Sequence, residues 1–72
     1  IDHHQERLQT IRDASRQLIE GTVTDYMRVL FSERAWGDMA ESETYAHLEH
    51  LKESGELTRG SNSGIFTYTN DD

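Results

Sequence analysis

The residues in this chain with the clearest potential for chemistry are four histidines in two pairs, His3-His4 and His47-His50. On a helix, the i, i+3 spacing of His47 and His50 can turn both imidazoles toward one ion. A metal site also needs further ligands and hydrogen bonds that orient them. Glu43 could join, but nothing in the spacing requires it, and the plainer reading is solvated imidazoles. The chain has no Cys, which removes thiol nucleophiles, disulfides and the cysteine-rich kinds of zinc site. It also lacks Gly-x-Ser-x-Gly, His-Glu-x-x-His and a phosphate-cradling glycine loop. Ser, His and Asp occur, but their presence without geometry implies no triad. We therefore expect no catalytic, cofactor-binding or metal-binding residue in this segment.

Nucleic-acid contact is the other chemistry to weigh. Lys52, Arg59 and Asn62 are of the types that neutralise phosphates or read base edges. The stretch that carries Lys52 also carries Asp38, Glu41, Glu43, Glu49 and Glu53. Over the whole chain 14 Asp and Glu stand against 7 Lys and Arg, a formal net charge of -7. Nucleic acid is thus not the expected partner, although molar salt would screen the repulsion. Lys52 is the only lysine among the basic residues. An acid-rich, lysine-poor surface holds water and ions at multimolar salt, so the chain reads as halophilic.

Seventy-two residues allow one domain with one core. A chain of this size buries only about 60% of its unfolded surface, so its stability is marginal without support. The hydrophobic fraction is 33% and the mean hydropathy -0.85, which suggests a larger partner surface, either a second copy or a neighbouring domain. No apolar run approaches the ~20 residues needed to cross a bilayer. The opening residues Ile1 to Arg7 are polar and lack an initiator methionine, unlike a signal peptide. The expectation is a cytoplasmic protein of which this is a fragment.

These residues must be positioned by a small set of elements. Leu8, Ile11, Ala14, Leu18 and Ile19 recur at helical spacing, predicting a first helix from His3 to Ile19 that Gly21 stops as a C-terminal cap. Thr22 or Thr24 caps a second helix, with Asp25 in its first turn and a stripe of Tyr26, Val29 and Leu30 extended by Phe31. Ser32 to Gly37 form a connector in which Trp36 is expected to seal an edge of the core. A third helix starts near Asp38 or Ser42 and runs to Ser54, with Thr44, Leu48 and Leu51 on one face, Ala40 and Tyr45 beside them, and Gly55 at its end. Glu56 to Arg59 and Ile65 to Thr69 read as strands around a Gly60 to Gly64 turn, followed by a frayed tail, Asn70 to Asp72. Alternation in the second strand leaves one face free to pack on the helices. The fold class is α+β, mainly α: a winged helix of three helices followed by a two-stranded β-hairpin wing.

Several short motifs, together covering almost the whole chain, resemble those of the winged-helix domain at the C-terminal end of many metallo-β-lactamase-fold hydrolases. The family's entry resembles Tyr-Ile-x-His-Arg-x-x-Arg, and here Ile1-Asp2-His3-His4-Gln5-Glu6-Arg7 follows it, with His4 in place of the arginine. Gly21-Thr22 and Leu30-Phe31 resemble the family's entry to, and end of, its second helix. Glu43-Thr44-Tyr45-Ala46-His47-Leu48-Glu49-His50-Leu51-Lys52-Glu53-Ser54-Gly55 resembles its Glu-Thr-x-Ala-His-Leu-x-x-Leu-x-x-x-Gly. The resemblance implies a parent hydrolase that uses one or two metal ions, usually zinc, on thioesters or single-stranded RNA. Its ligands belong to a His-x-His-x-Asp-His motif in a preceding domain, and none is found here. The partner implied is that catalytic domain of the same chain, beside whose cleft this segment would pack and shape substrate access. His47 is then a structural hydrogen-bonding residue or one that reaches the cleft. The alternative is a free-standing winged-helix transcription regulator, dimeric through the Leu8-Ile11-Leu18 stripe, with Lys52, Arg59 and Asn62 contacting nucleic acid. A third reading is a pure protein-interaction module.

Overall fold

Caps and turns set the element boundaries more firmly than the apolar stripes do. The computed structural model describes residues 3–18 and 20–70. Ile1, Asp2, Ile19, Asp71, Asp72 and the side chains of His3 and His4 lie outside the described residues, and with them the His3-His4 pair, most of the family-like entry motif and the last two residues of the expected tail. Asn70, expected to begin that frayed tail, instead ends the last strand, opposite Leu57, and its amide donates to the Ser15 hydroxyl at 2.9 Å. The order is α1 (His3–Ser15), β1 (Gly21–Thr22), α2 (Val23–Leu30), a 3-10 turn (Glu33–Ala35), α3 (Asp38–Glu53), β2 (Leu57–Asn62) and β3 (Ile65–Asn70). Among the described residues the class is α+β and mostly helical, with three α-helices and a three-stranded antiparallel sheet. This layout is consistent with the expected helix-then-hairpin order.

The first helix is shorter than its stripe predicts. It ends at Ser15, where Gln17 and Leu18 both donate backbone N–H bonds to the Ala14 carbonyl and tighten the last turn. Leu18 still packs against the core from outside the helix. Stopping early lets Gly21–Thr22 lie beside β3, with Gly21 opposite Tyr68 and Thr22 opposite Thr67. Gly21 is therefore a strand residue, not the helix cap it was expected to be. Its missing side chain matters for another reason: a Cβ there would stand 2.5 Å from Cε2 of Tyr26 and 3.1 Å from Leu18 Cδ1. Gly21→Ala is expected to cost about 1–3 kcal/mol through overpacking. Urea denaturation would check this, and an unchanged midpoint would show that the contact yields freely.

Thr22 is the cap of α2. Its hydroxyl accepts from Asp25 N–H at 3.2 Å, and the Asp25 carboxylate accepts from Thr22 N–H at 3.0 Å. This reciprocal pair satisfies two N–H groups that a helix start would otherwise leave unpaired. Thr24, the other candidate, instead donates to Glu41 on α3 at 3.2 Å. Tyr26 and Met27 are the residues α2 buries, while Val29 is 49% exposed and Phe31 lies past the helix end. Trp36 does not seal the core either. It is 39% exposed, because its indole N–H donates outward to the Phe31 carbonyl at 2.9 Å.

Helix α3 begins at Asp38 and buries Ala40, Thr44, His47, Leu48 and Leu51. Gly55, at φ +85, takes the left-handed position after it, as the sequence predicts. The hairpin is longer than expected, since Gly60, Ser61 and Asn62 belong to β2 and the turn is only Ser63-Gly64. Both turn residues have positive φ, 54° and 83°, the geometry that matches a two-residue turn to twisted strands. Burial along β3 follows position more than alternation. Thr67 and Tyr68, flanked by β1 and β2, are both buried, whereas Ile65 and Phe66 near the turn are exposed. Leu8 and Ile11 of α1, Tyr26 of α2, Leu48 and Leu51 of α3, Leu57 of β2 and Tyr68 of β3 form one core.

Candidate functional site

The third helix and the hairpin meet at the position where a winged helix would carry contacts to nucleic acid. Lys52 and Arg59, from α3 and β2, are brought together there by an acidic residue that lies between them. Glu49 accepts from Lys52 Nζ at 3.0 Å, from Arg59 Nη1 at 3.0 Å and from the Tyr68 hydroxyl at 2.6 Å. Lys52 also reaches Glu53 at 3.1 Å. The Arg59 guanidinium lies 4.4 Å above the centre of the Phe66 ring, so both its charge and its flat face are engaged. Asn62 does not join this cluster; it ends β2, exposed, opposite Ile65 at the far end of the hairpin.

The local sequence explains the geometry. Glu49 and Lys52 are i, i+3 on one helix and face the same way. Arg59 pairs with Tyr68 across the β2–β3 ladder, so both side chains approach Glu49 from the sheet. Partial burial alone would raise the Glu49 pKa, but the Tyr68, Lys52 and Arg59 hydrogen bonds outweigh it and hold the carboxyl below its ordinary value. Burial, and then the bond to Glu49, push the Tyr68 phenol well above its usual range. Lys52 is raised chiefly by Glu49. All three stay in their ordinary charge states at neutral pH, and this face is neutralised from within.

His47 is 6% exposed on the buried side of α3, while His50 is exposed. The two imidazoles thus occupy different environments and do not present a joint face to an ion. Among the described residues no group of three or more His, Asp or Glu is placed to hold a metal ion. No described helix is long and apolar enough to cross a membrane. The apolar positions Leu8 and Ile11, which dimerisation through the first helix would need, are consumed by the chain's own core at 1% and 0% exposure.

Sequence reasoning counted Glu49 only as one more negative charge and did not place Tyr68 beside it. The Glu49-Lys52 spacing was the available signal; the approach of Arg59 and Tyr68 depends on strand register. Two further exposed features, Trp36 and Met39, carried no such signal. No protein-family model matches this chain, and no similarity was found to a curated protein or to a solved structure.

Proposed function

We propose that this chain is the accessory winged-helix domain of a larger cytoplasmic hydrolase of the metallo-β-lactamase fold, from an organism adapted to high salt. The observation that carries the reading away from DNA is the Glu49 cluster. A helix and wing built to grip phosphate leave their cations free, whereas here Lys52 and Arg59 are closed onto one carboxylate. The motif likeness centred on Glu43 to Gly55 supports the enzyme side of the proposal. On this reading zinc is held wholly by the preceding domain, and this segment packs beside the cleft and shapes substrate access. The burial of His47 supports a structural role for it within the domain.

The coding sequence upstream of Ile1 tests the proposal, with a His-x-His-x-Asp-His motif as the expected finding. A start codon immediately before Ile1 would overturn it. The regulator reading is tested separately by titrating the chain into duplex DNA at about 0.15 M salt. We expect a Kd no tighter than ~10⁻⁴ M, the weak edge of non-specific binding. Tight binding that Lys52→Glu and Arg59→Glu abolish would establish the regulator instead.

A further inference from the structure

The most exposed large apolar side chain among the described residues lies at the corner where α2, the 3-10 turn and α3 meet. Met39 stands 87% exposed in the first turn of α3. Beside it is an open hollow of about 610 Å³, whose apolar lining includes Phe31, Ala35, Met39 and Ala40. A projecting methionine next to an apolar hollow is a knob beside a hole. Trp36 flanks this corner and is fixed in place, its indole N–H bonded to the Phe31 carbonyl and its ring 5.5 Å from the Arg28 guanidinium.

The cations at this corner are arranged unlike those elsewhere among the described residues. Arg7, Arg12, Arg16, Lys52 and Arg59 each meet a carboxylate inside the domain: Glu43, Glu56, Asp13, Glu49 with Glu53, and Glu49 respectively. Among the described residues Arg28 and Arg34 have no carboxylate partner, and both sit here. Glu33 and Asp38 are exposed in the same short stretch and likewise have no cation partner among the described residues.

A patch that holds a knob, a hole, free cations and free anions can complement itself after a half-turn. That is the requirement for a two-fold interface, in which the same surface serves on both sides. A partner of single charge sign would leave either the arginines or the carboxylates unmatched. The demand on area is also moderate. A stable interface buries about 800 Å² per partner, roughly a sixth of the 4836 Å² this chain exposes.

We propose that this corner is a two-fold interface between two copies of the chain. Met39 of each copy seats in the Phe31–Ala35–Ala40 hollow of the other, and Arg34 of each faces the other copy's Asp38. This holds independently of the enzyme reading, since it rests only on this surface. Within a hydrolase it would join two parent chains through their accessory domains.

Sedimentation equilibrium of the 72-residue chain is the test, with Trp36, the only tryptophan, as a built-in probe. The mass should rise from 8.3 kDa toward twice that value as concentration increases into the ~100 µM range, and Trp36 emission should move to the blue in step. Met39→Glu should weaken dimerisation at least ~tenfold while circular dichroism stays unchanged, because the side chain is 87% exposed. Arg34→Asp and Asp38→Arg should each weaken it, and the double exchange should restore it. A mass of 8.3 kDa at every concentration would overturn the proposal. So would a dimer indifferent to Met39→Glu, which would place the contact elsewhere. Shielding of Trp36 only in a longer, monomeric natural chain would assign the corner to a neighbouring domain and overturn it too.

Discussion

Replacing Tyr26 with alanine is expected to remove most of the stability of this protein. The ring is 0% exposed, and Gly21 is the residue whose absent side chain makes room for it. Its hydroxyl donates to the Tyr68 main-chain carbonyl at 3.0 Å, joining α2 to the central strand of the sheet. Burial, with the Asp25 charge adding to it, pushes the phenol pKa up to about 12, so the group stays a neutral donor over the whole physiological range. Truncating a buried aromatic to alanine costs about 3–5 kcal/mol. A 72-residue domain has only about 4–11 kcal/mol in total at the usual stability per residue. The melting temperature should therefore fall by about 15–30 °C, or the transition should vanish. Tyr26→Phe keeps the ring and should lose only about 1–2 kcal/mol. Melting of the alanine variant within a few degrees of the parent would mean that the core is not organised around this ring.

The second large effect is expected at Glu49, and it should depend on pH. Its carboxylate receives three donors from three directions, from Lys52, Arg59 and Tyr68. Glu49→Gln keeps the shape but removes the charge, at an expected cost of about 1–3 kcal/mol near pH 7. Because the folded-state pKa lies below the ordinary 4.5, the ionised group binds fewer protons folded than unfolded near that pH. Its contribution is thus complete above pH 4.5 and declines as the pH falls through the lowered folded value. Urea midpoints of the parent and Glu49→Gln should differ at pH 7 and draw together as the pH falls progressively below 4.5. A difference that persists undiminished at the acid end would assign the loss to packing instead of charge.

The Glu49 cluster also bears on what the fold is for. A helix and hairpin wing invite a DNA-reading function, and net charge already argues against it. The geometry adds a local reason, since the two cations best placed for phosphate are paired with Glu49 and, for Lys52, also with Glu53. Surface ion pairs of this kind contribute little individually. Three donors on one half-buried oxygen pair form a network, which is why the substitution should be measurable.

Most of the helical architecture could be read from the chain. A threonine cap for α2 with Asp25 in its first turn, the stop at Gly55 and the Leu48–Leu51 face of α3 are local features that depend on neighbours a few residues away; the choice of Thr22 over Thr24 came from the structure. The hairpin was legible too, though its turn was drawn too wide, because a run of small polar residues suits a loop and an exposed strand equally well. What misled was Gly21. A glycine after an apolar stripe signals a helix end, and here it serves the close approach of Tyr26 and the pairing with Tyr68.

Trp36 shows the same limit from the other side. Its size argued for the core, but an indole N–H needs a partner, and the one it takes is the Phe31 carbonyl. The sequence by itself determined the class, the acidic balance, the absence of cysteine chemistry and the stop of α3 at Gly55, since all of these depend on residue identity and short spacing. Only the tertiary structure decided that β1 joins the sheet, that Lys52 and Arg59 share Glu49, and that Met39 stands out in water. Each of those depends on a pairing between residues distant in the chain, and such pairings are set by how the elements pack.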